Sequence, residues 1–114
     1  MHEFPITEQI VKIVTNKAKE GNARKVTRIT LVVGEYSGFI GESIQMYFDI
    51  ISKGTLADGA TLEIENVKPK LKCPACGEYF FRKPLSFACP KCGQDGEPTS
   101  IGKEFYVKNI EIET

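Results

Sequence analysis

Four cysteines constrain this chain more than any of its other residues. They fall in two matching frames, Cys73-Pro74-Ala75-Cys76-Gly77 and Cys89-Pro90-Lys91-Cys92-Gly93, and they are all the cysteine the sequence contains. A C-P-x-C-G pentad can curl so that its two thiolates point the same way, with backbone N–H groups donating to sulfur and Gly taking the positive-φ turn that follows. Two such knuckles build a tetrahedron of sulfur, which suits Zn2+ bound at about 2.3 Å. Two disulfides would require an oxidising compartment that nothing else in the chain suggests. A redox C-x-x-C should open a helix after a strand, which a Pro-Gly knuckle does not. An iron-sulfur cluster is a further competitor, and a mononuclear iron centre would look the same from sequence; zinc is the favoured reading. Hydrolysis by a zinc-bound water is disfavoured, because four thiolates close the coordination sphere.

Around that site, 114 residues with 41% apolar and 26% charged side chains can hold one modest core plus a metal-clipped appendage. No run of about 18 apolar residues offers a membrane span, and the first residues lack the layout of a signal peptide. The expectation is a soluble, cytoplasmic protein with no membrane partner. Basic and acidic residues balance at 15 each, and four thiolates with one dication would bring the loaded protein to about −2. That speaks against a general nucleic-acid binder. Locally the sign reverses: between residues 68 and 92, Lys68, Lys70, Lys72, Arg82, Lys83 and Lys91 face a single acid, Glu78. The plain reading is that these cations offset the thiolates.

Met1-His2-Glu3 is expected to precede regular structure. From there Ile6, Ile10, Ile13 and Val14 recur at helical spacing, with Pro5 in the first turn, Glu8 near the positive end and Gly21-Asn22 as the stop. Lys25 to Val33 alternates, with Ile29, Leu31 and Val33 on one face and Arg28, Thr30 and Val32 on the other, which predicts a half-buried strand. A glycine-punctuated loop, 34–41, leads to Ile44, Tyr47, Phe48 and Ile51, an amphipathic helix ended by Gly54. Thr61 to Val67 alternates again. After the second knuckle a polar turn region, 94–100, leads to a last strand over Glu104 to Ile112. There Phe105 and Val107 share one parity and Ile110 and Ile112 the other, which predicts a bulge or twist near Asn109.

This order predicts an α+β fold: a small three-stranded sheet packed by two helices, with a zinc ribbon inserted between the last two strands. The strand-helix-strand unit is long enough for a right-handed crossover. The strands flanking the insert should be antiparallel, so that the ribbon projects like an elaborated hairpin tip. Two domains follow, 1–68 with 101–114, and 69–100. Within the insert, Phe80 and Phe87 are expected to form a miniature core beneath the metal, while Tyr79 and Phe81 stand between core and exposed surface for a partner.

The only histidine is the second residue. Met1 should persist, since the aminopeptidase that trims initiator methionine needs a small second side chain, and its amine is then available. The Met1 amine, the main-chain nitrogens of His2 and Glu3 and the His2 imidazole can chelate a square-planar ion, Ni2+ or Cu2+, three nitrogens at a time. Ring geometry lets this neighbourhood fill three in-plane positions. The fourth must come from water, from elsewhere in the chain or from another protein. A site so open holds metal weakly and can pass it on; from geometry alone the competing reading, an ordinary exposed histidine, is the favoured one.

Taken together, Met1-His2-Glu3, Gly34-Glu35, the two knuckles and Gly102-Lys103-Glu104 resemble the HypA/HybF nickel metallochaperones of [NiFe]-hydrogenase maturation. The resemblance covers essentially the full chain. It implies nickel as transient cargo at His2, with neighbouring main-chain nitrogens, Met1 included, and Glu3 as an auxiliary ligand. It implies structural zinc at Cys73, Cys76, Cys89 and Cys92. It further implies a HypB-like GTPase as partner and delivery to the hydrogenase large subunit, or through urease accessory proteins to urease, by a protein that is not an enzyme. A monomer or weak dimer is expected. Some relatives carry histidines beside the knuckle cysteines where Gly77 and Gly93 stand here, so any pH response should come from imidazole protonation at His2. The alternative function is a zinc-ribbon module that binds RNA or a transcription complex through its lysines and aromatics.

Overall fold

The computed structural model describes residues 3–114. The first helix, α1 (Glu3–Glu20), begins at Glu3 itself, earlier than the sequence pattern suggests. Pro5 still falls in the first turn, where a missing N–H costs nothing. The buried stripe is Glu3, Thr7, Ile10, Val11, Val14 and Ala18. It is rotated from the expected one, and Ile13 is left 53% exposed. Thr7 tolerates burial because its hydroxyl donates to the Glu3 carbonyl at 2.6 Å. The helix closes where Gly21 and Ala23 donate back to the Ala18 carbonyl and Asn22 takes φ 57°.

Strand β1 (Lys25–Gly34) leads to α2 (Gly41–Ile51), which buries Ile44 and Phe48. Strand β2 (Thr61–Val67) then lies parallel to β1, with Ile29 opposite Leu62 and Leu31 opposite Ile64. The insert contributes β3 (Lys70–Lys72), β4 (Tyr79–Phe81) and the two-residue β5 (Glu97–Pro98). The chain ends on β6 (Phe105–Glu113), antiparallel to β1. The two sheets have strand orders β2-β1-β6 and β4-β3-β5. The fold class is therefore α+β, with two helices on a three-stranded sheet, as the order of elements predicts. The hairpin picture is corrected. β2 and β6 do run in opposite directions, but β1 lies between them, so the insert leaves one edge of the sheet and returns to the other.

The phase slip in β6 has a concrete form. Thr30 pairs with Asn109 and Leu31 with Val107, which leaves Lys108 as the extra residue of a bulge. A second shift leaves Thr27 extra in β1, between Val26 opposite Ile112 and Arg28 opposite Glu111. The two offsets cancel. Through them Phe105, Val107, Ile110 and Ile112 all stand opposite the core-facing Val33, Leu31, Ile29 and Val26, despite their mixed parity.

Strand β1 is not half-buried. Thr30 and Val32, on the face away from the helices, are only 6% and 4% exposed. As the middle strand, β1 is flanked on both sides, and long side chains cross above it. Lys108 of β6 reaches Glu65 of β2 at 3.3 Å, and Arg28 pairs with Glu63. Among the described residues no helix is long and apolar enough to cross a membrane.

Candidate metal centre

The two knuckles are built alike from backbone. In the first, the Cys73 N–H donates to the Glu78 carbonyl at 2.9 Å and the Gly77 N–H to the Cys73 carbonyl at 2.8 Å. In the second, Cys89 and Gln94 repeat this at 2.7 Å, and Gly93 and Cys89 at 2.9 Å. Both turns close on a glycine of positive φ, 73° at Gly77 and 79° at Gly93, where a side chain would be strained. The Cys76 N–H points at Cys73 Sγ, 3.3 Å away.

The four sulfurs lie within 4.8 Å of one another, and Cys73 Sγ and Cys92 Sγ are 3.4 Å apart. All four thiols are free. Zinc–sulfur bonds of about 2.3 Å define a tetrahedron with edges of about 3.8 Å, so the cluster has the size of a zinc site. Its electrostatics also favour a cation. The amide of Cys76 is foremost in lowering the Cys73 thiol to about 7, with help from Cys92, Ala75 and Cys89 against the opposing effect of burial. Hydrogen bonding with Cys92 and Cys73 raises the Cys76 thiol to about 12. Four thiols this close cannot all ionise alone, and a dication reverses that penalty. With four sulfurs filling a tetrahedron, zinc here would supply folding energy and no open coordination position.

Beneath the site, Leu71, Cys73, Phe80 and Cys89 form a core of their own. Phe80 is in it as expected, but Phe87 is 50% exposed, a correction to the predicted miniature core. The reason is a cation: Arg82 lies 4.4 Å from the Phe87 ring centre. Lys70 over Phe81 at 4.9 Å and Lys72 over Tyr79 at 5.5 Å repeat the arrangement on exposed rings. Three of the six local cations thus lie over aromatic faces and not against the thiolates. Lys91 is placed differently. It binds Glu78 at 3.0 Å, and its pKa is raised first by that carboxylate and to a lesser degree by Cys76 and Cys89.

At the other end, Met1 and His2 lie outside the described residues, so the expected nickel ligands there have no structural account. Glu3 is described. It is buried, and its carboxylate accepts a hydrogen bond from the Ile40 N–H at 3.2 Å, at the start of α2. Sequence reasoning missed this contact, because its donor is a main-chain group 37 residues away. The other resemblance motifs meet at the root of the ribbon. The Gly34 N–H donates to the Glu104 carbonyl at 2.7 Å, the Tyr36 N–H to the Gly102 carbonyl at 2.6 Å, and the Gly102 N–H to the Glu104 side chain at 2.7 Å.

The sequence model of the family described as hydrogenase/urease nickel incorporation, metallochaperone, HypA, matches residues 1–112. The chain belongs to the HypA family. It is 41% identical over 113 residues to the hydrogenase maturation factor HypA of Dehalococcoides mccartyi strain 195, covering 99% of this chain and 95% of that one. It is 40% identical to the HypA of Caldanaerobacter subterraneus over 114 residues, 99% of this chain and the whole of the other. A solution structure of a HypA protein aligns with a TM-score of 0.70 at 25% identity, over 98% of this chain and 96% of that one. The nickel metallochaperone HypA of Helicobacter pylori aligns at 0.65 and 24% identity, over 97% of each, a likeness of fold. The HypA match runs through both sheets and the knuckles and carries a nickel-incorporation description, so the alternative of an RNA-binding or transcriptional ribbon module is not supported.

Proposed function

We propose that this member of the HypA family takes Ni2+ as cargo at its N-terminal segment and hands it on during hydrogenase maturation. The His2 imidazole and main-chain nitrogens of Met1-His2-Glu3 are the ligands. The donor set is incomplete by one position, so transfer proceeds by ligand exchange with an acceptor protein, and no covalent bond of a substrate is made or broken. The protein is not an enzyme. Zn2+ at Cys73, Cys76, Cys89 and Cys92 is structural, and residues 69–100 form a domain distinct from 1–68 with 101–114. The partners are a HypB-like GTPase and the hydrogenase large subunit, in the cytoplasm, with urease accessory proteins as a second route. The chain works as a monomer or weak dimer.

The observation that carries this reading is the family match that begins at residue 1 and runs through Met1-His2-Glu3. The saturated sulfur site supports it from the other side. Four thiolates that fill a tetrahedron leave no position for cargo, so exchangeable metal belongs elsewhere. Calorimetric titration of Ni2+ into the wild type and His2→Ala tests it. The variant is expected to lose stoichiometric binding while zinc content and far-ultraviolet dichroism stay unchanged. Equal nickel affinity in the two proteins would sink the proposal.

A further inference from the structure

Glu3 is a carboxylate with 7% exposure at the start of a helix. Burial of such a group is costly unless a donor meets it. Its Oε2 accepts from the Ile40 N–H at 3.2 Å. Ile40 is the residue that precedes α2; it is extended, with φ −107° and ψ 118°, and offers no capping side chain of its own. Glu3 therefore stands at the positive end of the α2 dipole, where a carboxylate is stabilised. Two neighbouring contacts brace the same turn. The Thr7 hydroxyl donates to the Glu3 carbonyl at 2.6 Å, and the Phe4 ring meets Tyr47 of α2 edge-on, with ring centres 5.2 Å apart.

We infer that the Glu3 carboxylate serves nickel binding as a positioning residue and not as a metal ligand. It clamps the first turn of α1 to the start of α2, and so holds in place the backbone of the residue that follows His2 in the chain. This rests on the nickel reading above. Two physical consequences set it apart from ligation by Glu3. Drawing Oε2 onto a metal would strip a part-buried N–H of its acceptor. Releasing the clamp would return freedom to the Glu3 backbone, whose nitrogen is one of the chelating groups, and ordering one residue's backbone weakens binding by about 5- to 30-fold.

The test compares three substitutions in the full-length, zinc-loaded protein by Ni2+ titration and by the ligand-field absorption of the nickel complex. Glu3→Gln keeps an oxygen that can accept from Ile40 but removes the anionic donor. Glu3→Ala removes both. Ile40→Pro removes the N–H and leaves Glu3 in place. Positioning predicts that Glu3→Gln stays within about threefold of wild type, that Glu3→Ala and Ile40→Pro each weaken nickel about tenfold, and that all three keep the wild-type absorption bands. If Glu3→Gln binds as poorly as Glu3→Ala, with shifted bands, the carboxylate is a ligand and the inference is overturned. Wild-type affinity in Glu3→Ala overturns it as well. Should Ile40→Pro fail the check of zinc content and helix dichroism, the Gln and Ala pair decides alone. A His2→Ala protein that binds nickel like wild type would instead bring down the nickel reading itself.

Discussion

A methyl group at Gly34 would overlap the Gly102 carbonyl and stand 2.8 Å from the Glu104 nitrogen. Every atom it meets is backbone, already held by the hydrogen bonds that Gly34 and Tyr36 donate to Glu104 and Gly102. No rotamer change can relieve the clash. Gly34→Ala should cost about 3 kcal/mol or more. Gly38→Ala is the control: its φ is 89° but nothing lies within 4 Å of the added methyl, so only the left-handed backbone is penalised, by about 1 kcal/mol. Urea midpoints for the two variants would separate them, and equal shifts would contradict the close-approach account. Single residues were unevenly legible in the sequence. The cysteines announced themselves because a knuckle is a local object, with both sulfurs set by one five-residue turn. Gly34 was marked by family resemblance only, since nothing beside a glycine says whether it is there for its φ or for its lack of a side chain. The contact of Glu3 with a main-chain amide 37 residues away could not be read from sequence, because an amide carries no residue identity.

At the scale of elements, alternation located β1, β2 and β6, and the parity change between Val107 and Ile110 pointed to the bulge that Lys108 occupies. Its counterpart at Thr27 leaves the same kind of mark, a parity change between Val26 and Ile29, but Val32 shares the parity of Val26, so the alternation there reads as unbroken. The register of pairing was likewise hidden. The sequence says that β6 follows the insert, but not that β1 separates it from β2. Phe80 and Phe87 looked equivalent until Arg82 drew one of them to the surface. The bulge carries a prediction. Deleting Lys108 leaves Thr27 uncompensated, and either Phe105 and Val107 turn out of the core or the contacts of Gly102 and Glu104 with β1 are pulled one residue out of place. A loss of about 3 kcal/mol or more is expected. Lys108→Ala merely removes a half-exposed pair with Glu65 and should cost under about 1 kcal/mol. Chemical denaturation of both proteins checks this, and a mild deletion would argue that the two offsets are independent.

The whole molecule is long for its chain. Its radius of gyration is 17.9 Å and its extents are 54 × 28 × 16 Å, whereas a compact chain of this length should have a radius of about 13 Å. The length comes from two sheets that share no strand, each with its own core, one of them made of just Leu71, Cys73, Phe80 and Cys89. A core that small cannot offset the entropy of ordering thirty-odd residues, so the ribbon should depend on its metal. The α1–α2–sheet body, with Ile29, Leu31, Ile44 and Phe48 fully buried, should not. Removing zinc with a chelator, or blocking it with Cys73→Ser, is therefore expected to abolish amide protection across β3, β4 and β5 while leaving it in α1, β1 and α2. The first residues of β6 should loosen as well, because Glu104 and Gly102 are held at the root of the ribbon. Helix dichroism should fall little. Nickel affinity should also survive, since the contact of Glu3 with Ile40 lies on the body that stays folded. Hydrogen exchange by mass spectrometry, run beside a nickel titration of the zinc-free protein, reads both outcomes. Loss of protection throughout the chain at a single chelator concentration would mean that the two parts fold as one unit. Loss of nickel binding with the helices intact would mean that the ribbon, and not the clamp on α2, holds the N-terminal segment in its working position.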